Sequence, residues 1–196
     1  MCLVNRYTPA PMADETEFAV VRESEVIQGV RFVEPEVIED DRGAFAEIFR
    51  KEWVPGASDI VQVNRSFSKA GVLRGMHYHL FQADYWYITA GHAFIALFDF
   101  RASSKTAEKA ETFEFKEGDN LGVYIPPGVA HGFLAMSDTT LLYMVDQAFD
   151  GTDEHSILWD DPALEISWPV EVEPVVSERD RKSPMLADVP EENLPE

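Results

Sequence analysis

Four side chains carry the chemistry most visible in this chain: His77, His79, Asp84 and His131. His77 and His79 are two residues apart, a spacing that on a β-strand turns both imidazoles to one face. Asp84 follows within the next apolar segment, and His131 sits just after the turn sequence PPGVA. Three imidazoles and a carboxylate can hold a divalent Fe, Mn, Ni or Zn ion, or can move protons without any metal. His92 and His155 lack such neighbours and read as ordinary structural histidines.

The elements that must position these groups are short. Segments such as VIQGVRFV, IVQVN, VLRGMHYH, YWYITAG, AFIALFDF, TFEFKEGD, HGFLAM and TLLYMVD have strand length, and turn residues recur between them about every ten positions. β-Branched and aromatic residues are frequent in them, which points to an antiparallel sandwich or barrel. The clearest helical signal is the short stretch SILWDDPALEI.

With 196 residues, 45% of them hydrophobic and 27% charged, the chain fits one domain with a packed core. The expected organisation is an amino-terminal arm over 1–25, a core domain over 26–183 and an acidic, proline-punctuated tail over 184–196. Sixteen basic against 36 acidic residues give a formal charge of −20, which opposes binding to nucleic acid or anionic membranes. A phosphate-bearing substrate must therefore be held by a few placed arginines. The single cysteine, Cys2, excludes an internal disulfide framework. With no apolar run of membrane-spanning length and no signal-peptide pattern, the expectation is a cytoplasmic protein.

Gly71, His77, His79, Asp84 and Gly91, followed by Pro126, Gly128 and His131, resemble in order and spacing the two sequence motifs of the cupin superfamily. The resemblance implies an all-β fold, a cupin-type double-sheet jelly-roll β-barrel with short flanking helices. A narrower resemblance rests on six collinear blocks: DDRGAFAEIF (40–49), VQVNRSFSKAGVLRGMHYH (61–79), YIPPGVAHGFLAMSD (124–138), LLY (141–143), HSILWDDPALEISWP (155–169) and SERD (177–180). These are similar to the dTDP-4-dehydrorhamnose 3,5-epimerase family over roughly residues 28–183.

That resemblance implies an isomerase of deoxysugar nucleotide biosynthesis that works without a cofactor and forms a homodimer. By position, His77 matches the family's catalytic base, Asp180 the carboxylate that pairs with it, and Tyr143 the general acid. Arg42, Glu47, Gln62, Asn64, Arg74, His79, Asp84, His131, Glu154 and Arg179 fall where the family meets its dTDP-linked 4-keto-6-deoxysugar. The sequence departs from the pattern in the sugar pocket. Asp84 stands where the family places a lysine, His79 where it has glutamine, and Ala148-Phe149 where it has an aromatic pair.

Three other readings remain open. A metal-dependent cupin would use His77, His79, Asp84 and His131 as ligands to a divalent metal ion. The His-x-His pattern also resembles dTDP-sugar 3,4-ketoisomerases, and a cupin that binds nucleotide-sugar without turnover is the third. In a metal-free site, Asp84 is expected to pair with a protonated imidazole, that of His79.

Overall fold

The strand His92–Asp99 shows how the sequence builds the fold. Its side chains alternate between two cores: Ile95 and Leu97 enter one, Phe94, Ala96 and Phe98 the other. A strand apolar on both faces belongs inside a sheet covered on both sides. The computed structural model describes residues 14–16, 18–54 and 56–196; Cys2 and most of the expected amino-terminal arm lie outside them.

Among the described residues fourteen strands are formed: β1 (Asp14–Thr16), β2 (Ala19–Glu23), β3 (Arg31–Pro35), β4 (Val37–Asp40), β5 (Gly43–Ala46), β6 (Gln62–Ser68) and β7 (Leu73–Tyr78). They continue with β8 (Asp84–Ala90), β9 (His92–Asp99), β10 (Ala110–Lys116), β11 (Gly122–Ile125), β12 (Val129–Ala135), β13 (Thr139–Val145) and β14 (His155–Ser156). One α-helical turn, α1 (Glu178–Arg181), follows, along with short 3-10 turns. The expected helix in SILWDDPALEI is reduced to the 3-10 turn Pro162–Leu164, because Pro162 can only begin a helix and Glu165 closes it in a left-handed conformation.

Two sheets pack face to face, as the cupin-type jelly roll requires. One runs β1-β2-β3-β11-β8-β13-β6 and the other β10-β9-β12-β7-β14, while β4 and β5 form a separate hairpin. Between the sheets lies a core of Trp86, Ile88, Ile95, Leu97, Phe113, Phe133 and Leu141, among others. On the outer face of the second sheet, Tyr78, Phe94 and Phe98 pack under the chain that follows β14, including Leu164 and Trp168. On the outer face of the first, Tyr85, Tyr87 and Met144 are covered by Trp53 and Val54.

Segments expected to lie outside the core domain are tied to it. Strand β2 pairs with β3 from Ala19 to Glu23. In the tail, Leu186 N–H donates to Asp161 (2.6 Å) and Tyr78 Oη donates to the Asn193 carbonyl (3.0 Å). No helix among the described residues is long and apolar enough to cross a membrane.

Candidate active site

Inward-facing positions of the two sheets leave a cavity of about 180 Å³, lined by Arg74, His77, His79 and His131 from the β7/β12 side and by Asp84, Trp86, Tyr143 and Ser66 from the β8/β13/β6 side. Arg74 and His77 are three residues apart on β7, a spacing that in a regular strand would oppose them. The β7–β12 register shifts here, so Arg74 is paired with Phe133 and His77 with His131, three residues against two. This bulge turns both side chains inward. It needs Gly75, whose φ is +128° and where a Cβ would stand 2.6 Å from the Gly132 backbone.

His77 reaches a partner from 103 residues away: its Nε2 lies 2.8 Å from Asp180 Oδ1. The backbone explains the meeting. Residues after the barrel return to β7, where Leu73 N–H donates to Val175 O and Val175 N–H donates to Gly71 O. Ser177 then caps α1 by accepting from Asp180 N–H at 3.0 Å, which aims the Asp180 carboxylate inward. Burial would raise the Asp180 pKa, but the hydrogen bond and charge of His77, with help from Ser177, carry it below the usual carboxylate value. An ionised carboxylate only accepts, so His77 carries its proton on Nε2 and leaves Nδ1 as the basic nitrogen.

Tyr143 stands on the opposite sheet. Burial raises its pKa, and the Asp84 and Glu154 charges push the same way, so the phenol keeps its proton at neutral pH. Arg74 donates to Ser68 Oγ (2.9 Å) and to the Phe67 carbonyl (3.4 Å), which hold its guanidinium at the cavity wall.

A second set of polar groups converges deeper in the cavity. His131 Nδ1 donates to the Val129 carbonyl (3.0 Å), and its Nε2 lies 3.9 Å from Asp84 Oδ2. Burial lowers the His131 pKa to about 4 against the opposing pull of Asp84, with His79 and His77 adding to the fall, so the ring is neutral at pH 7. His79 Nδ1 donates to the Asp153 carbonyl. Its Nε2 lies 3.8 Å from Asp84 Oδ1, beyond hydrogen-bond reach, and accepts from the Gln82 amide at 3.1 Å instead. The expected His79–Asp84 pair thus stands at ion-pair distance without a direct hydrogen bond, and the Gln82 amide bridges it, donating also to Asp84 Oδ1 at 2.8 Å. His79, Asp84 and His131 hold ligand atoms within 4.8 Å of one another; His77, turned to Asp180, is absent from that group, which corrects the four-ligand set to three.

Of the remaining expected residues, Glu154 lines the cavity and pairs with Arg179 (2.9 Å) at its rim. Gln62 and Asn64 share a hydrogen bond (2.9 Å) and alternate along β6 with the same parity as Ser66. Arg42 and Glu47 do not line this cavity. Arg42 sits at the tip of the β4–β5 hairpin, 89% exposed and paired with Asp40, and Glu47 pairs with Arg50.

Sequence reasoning missed Ser66, Gln82, Trp86 and Asp153. Parity with Gln62 and with Asp84 could have found Ser66 and Trp86. Asp153 left no signal: its carboxylate accepts the N–H groups of Leu80, Phe81 and Gln82, fixing the loop after His79 across 70 residues of chain.

Comparison with known proteins agrees with this architecture. The family model for dTDP-4-dehydrorhamnose 3,5-epimerase matches residues 24–188. A dTDP-4-dehydrorhamnose 3,5-epimerase of Streptomyces griseus is 33% identical over 176 residues, 86% of this chain and 88% of the relative. Among solved structures, the Legionella pneumophila dTDP-6-deoxy-D-glucose-3,5-epimerase RmlC in complex with dTDP-4-keto-L-rhamnose superposes with a TM-score of 0.83 at 30% identity, covering 89% of this chain and 96% of that one. ChmJ, a 3'-monoepimerase of Streptomyces bikiniensis in complex with dTDP-quinovose, gives 0.77 at 34% identity, covering 82% and 85%. The fold and cavity thus define a cupin-type sugar isomerase, and the chain belongs to the dTDP-4-dehydrorhamnose 3,5-epimerase family. Its class of activity is epimerisation of a dTDP-sugar in deoxysugar biosynthesis.

Proposed function

We propose that this protein epimerises a dTDP-4-keto-6-deoxyhexose at C3, C5 or both, with His77 as base, Asp180 as its orienting partner and Tyr143 as acid. The observation that carries the reading is the 2.8 Å His77–Asp180 hydrogen bond on one wall of the cavity, with the protonated Tyr143 on the other. Hydrogens on C3 and C5 are acidified by the neighbouring C4 carbonyl. His77 Nδ1 removes one, and Asp180 stabilises the imidazolium that results. The electrons move into an enol(ate), and the Tyr143 phenol supplies a proton to the opposite face of the same carbon. One proton leaves and one arrives, so the stereocentre inverts without oxidation or reduction.

Arg74 and Arg179, local cations on an acidic protein, are the groups we assign to the pyrophosphate. We also assign a homodimer. The β4–β5 hairpin stands apart from both sheets with Ile38 50% and Phe45 62% exposed, an apolar surface suited to a second subunit. Arg42 and Glu47, absent from this cavity, would then serve the neighbour's. A cytoplasmic location fits a sugar-nucleotide substrate and a chain with one cysteine.

Incubation with dTDP-4-keto-6-deoxyglucose in D₂O tests the reading, with deuterium at C3 or C5 as the expected result and its loss in Tyr143→Phe as the check on the acid. Exchange accompanied by a 3-keto product would replace the reading with a 3,4-ketoisomerase, and binding with no exchange would leave a non-catalytic cupin.

A further inference from the structure

Asp84 is the one deeply buried carboxylate in the cavity, and no lysine or arginine among the described residues forms an ion pair with it. Both of its oxygens accept from neutral N–H groups, Oδ1 from the Gln82 amide (2.8 Å) and Oδ2 from the Trp86 indole (3.0 Å). Those bonds hold the carboxylate in place without cancelling its charge. The nearest imidazole atoms, His79 Nε2 and His131 Nε2, stand 3.8 and 3.9 Å away, too far to donate to it. His79 Nε2 already accepts from Gln82, and each ring gives its Nδ1 proton to a backbone carbonyl. Arg74, the one guanidinium or ammonium lining the cavity among the described residues, is turned to Ser68 and the Phe67 carbonyl.

His131 points to the same need independently. It is only 5% exposed, and no donor among the described residues is directed at its Nε2, which stands beside Asp84 in the cavity wall. A fixed anion next to an unfilled lone pair calls for one group with positive charge and more than one N–H. A primary ammonium has both, with three donors on one charged nitrogen. A sugar hydroxyl has one proton and no charge, so it serves a single acceptor and leaves the carboxylate uncompensated.

We propose that the substrate of this chain is an amino sugar nucleotide whose protonated amine docks between Asp84 and His131 Nε2. Where the amine sits on the ring rests on the epimerase reading. In a 4-keto-6-deoxyhexose, C5 carries the methyl group, the ring oxygen and a removable hydrogen, so C3 is the neighbour of the carbonyl that can bear nitrogen. An amine at C3 leaves C5 as the carbon to invert: one proton leaves C5 for His77, one returns to its other face from Tyr143, and the amine is unchanged. The placement also removes an electrostatic conflict. Deprotonation at C5 puts negative charge on O4 in a cavity that already holds the Asp84 carboxylate, and like charges repel strongly where water is excluded. A C3 ammonium lies beside O4 and against Asp84, so the cation that the pocket lacks arrives on the substrate.

The test needs no turnover. Calorimetry on the full-length protein in EDTA compares dTDP-3-amino-3,6-dideoxy-D-glucose with dTDP-6-deoxy-D-glucose, which differ only in amine for hydroxyl at C3. A charge-assisted contact in a buried site is expected to make the amino compound bind at least ~10-fold tighter to the wild type. Asp84→Asn, which keeps the shape and removes the charge, is expected to abolish that preference, and Asp84→Ser serves if the first variant does not fold. His92→Ala, which removes an imidazole beside Glu114 outside the cavity, is expected to retain it. Equal affinities in the wild type overturn the proposal. So does a preference that survives in a folded Asp84 variant, or one that appears only when EDTA is omitted. Deuterium exchange into 4-keto sugar nucleotides, with and without the amine, is scored separately. Exchange with no amine preference in binding sinks the amino-sugar proposal alone, and an amine preference with no exchange into either sugar sinks the epimerase reading alone.

Discussion

His77 and His79 are two residues apart, line one cavity and are the same amino acid, yet their surroundings differ completely. His77 meets a carboxylate at 2.8 Å that can take its Nε2 proton. His79 gives its Nδ1 proton to a backbone carbonyl and turns Nε2 toward Asp84 through the Gln82 amide. Spacing chooses the face of the strand, but the partner brought in from distant chain chooses which nitrogen is basic and what it can do. The first histidine is left with a basic nitrogen free toward the cavity, as the proposed base requires, whereas the second has both nitrogens engaged.

That contrast can be broken at three places. His77→Gln removes the basic nitrogen and is expected to lower kcat on dTDP-4-keto-6-deoxyglucose by ~10³-fold or more, read by steady-state NMR; a tenfold loss would shift the base elsewhere. Asp180→Asn is expected to cost ~10²-fold in kcat with a smaller change in KM. An amide can donate to Nε2, which moves the ring proton to Nδ1 and blocks the base. The smallest effect concerns stability. His131 is neutral when folded down to about pH 4, whereas its unfolded pKa is near 6.5. The unfolded state then binds the extra proton, so its stabilising effect is full above ~6.5 and lost as pH falls from there toward 4. Denaturant midpoints measured across that interval should fall more steeply for the wild type than for His131→Gln.

Strand lengths and the shared face of His77 and His79 were legible because period-2 alternation is a local property. Two features were not. The turn of Arg74 and His77 to one side depends on a bulge against β12, a property of strand pairing that no single segment encodes. The three-residue cluster depends on Asp153 and Val129 as carbonyl acceptors, and a main-chain carbonyl is the same at every position of a sequence. Arg42 and Glu47 were named from their block alone; Arg42 sits on, and Glu47 just after, a separate hairpin whose exposed Ile38 and Phe45 composition does not distinguish from core.

The return of residues 172–180 to β7 also sets an order in time. Synthesis runs from the amino terminus, and every strand of the two sheets that wall the cavity except β14 is complete by Val145. The barrel can therefore close around an imidazole whose orienting carboxylate does not yet exist. Only when Val175 has docked beside Val72 and α1 has wound does Asp180 arrive to fix the tautomer of His77. Shape is finished before the His77–Asp180 pair exists, and a nascent chain interrupted between the two would be folded but would lack the partner that the proposed base requires.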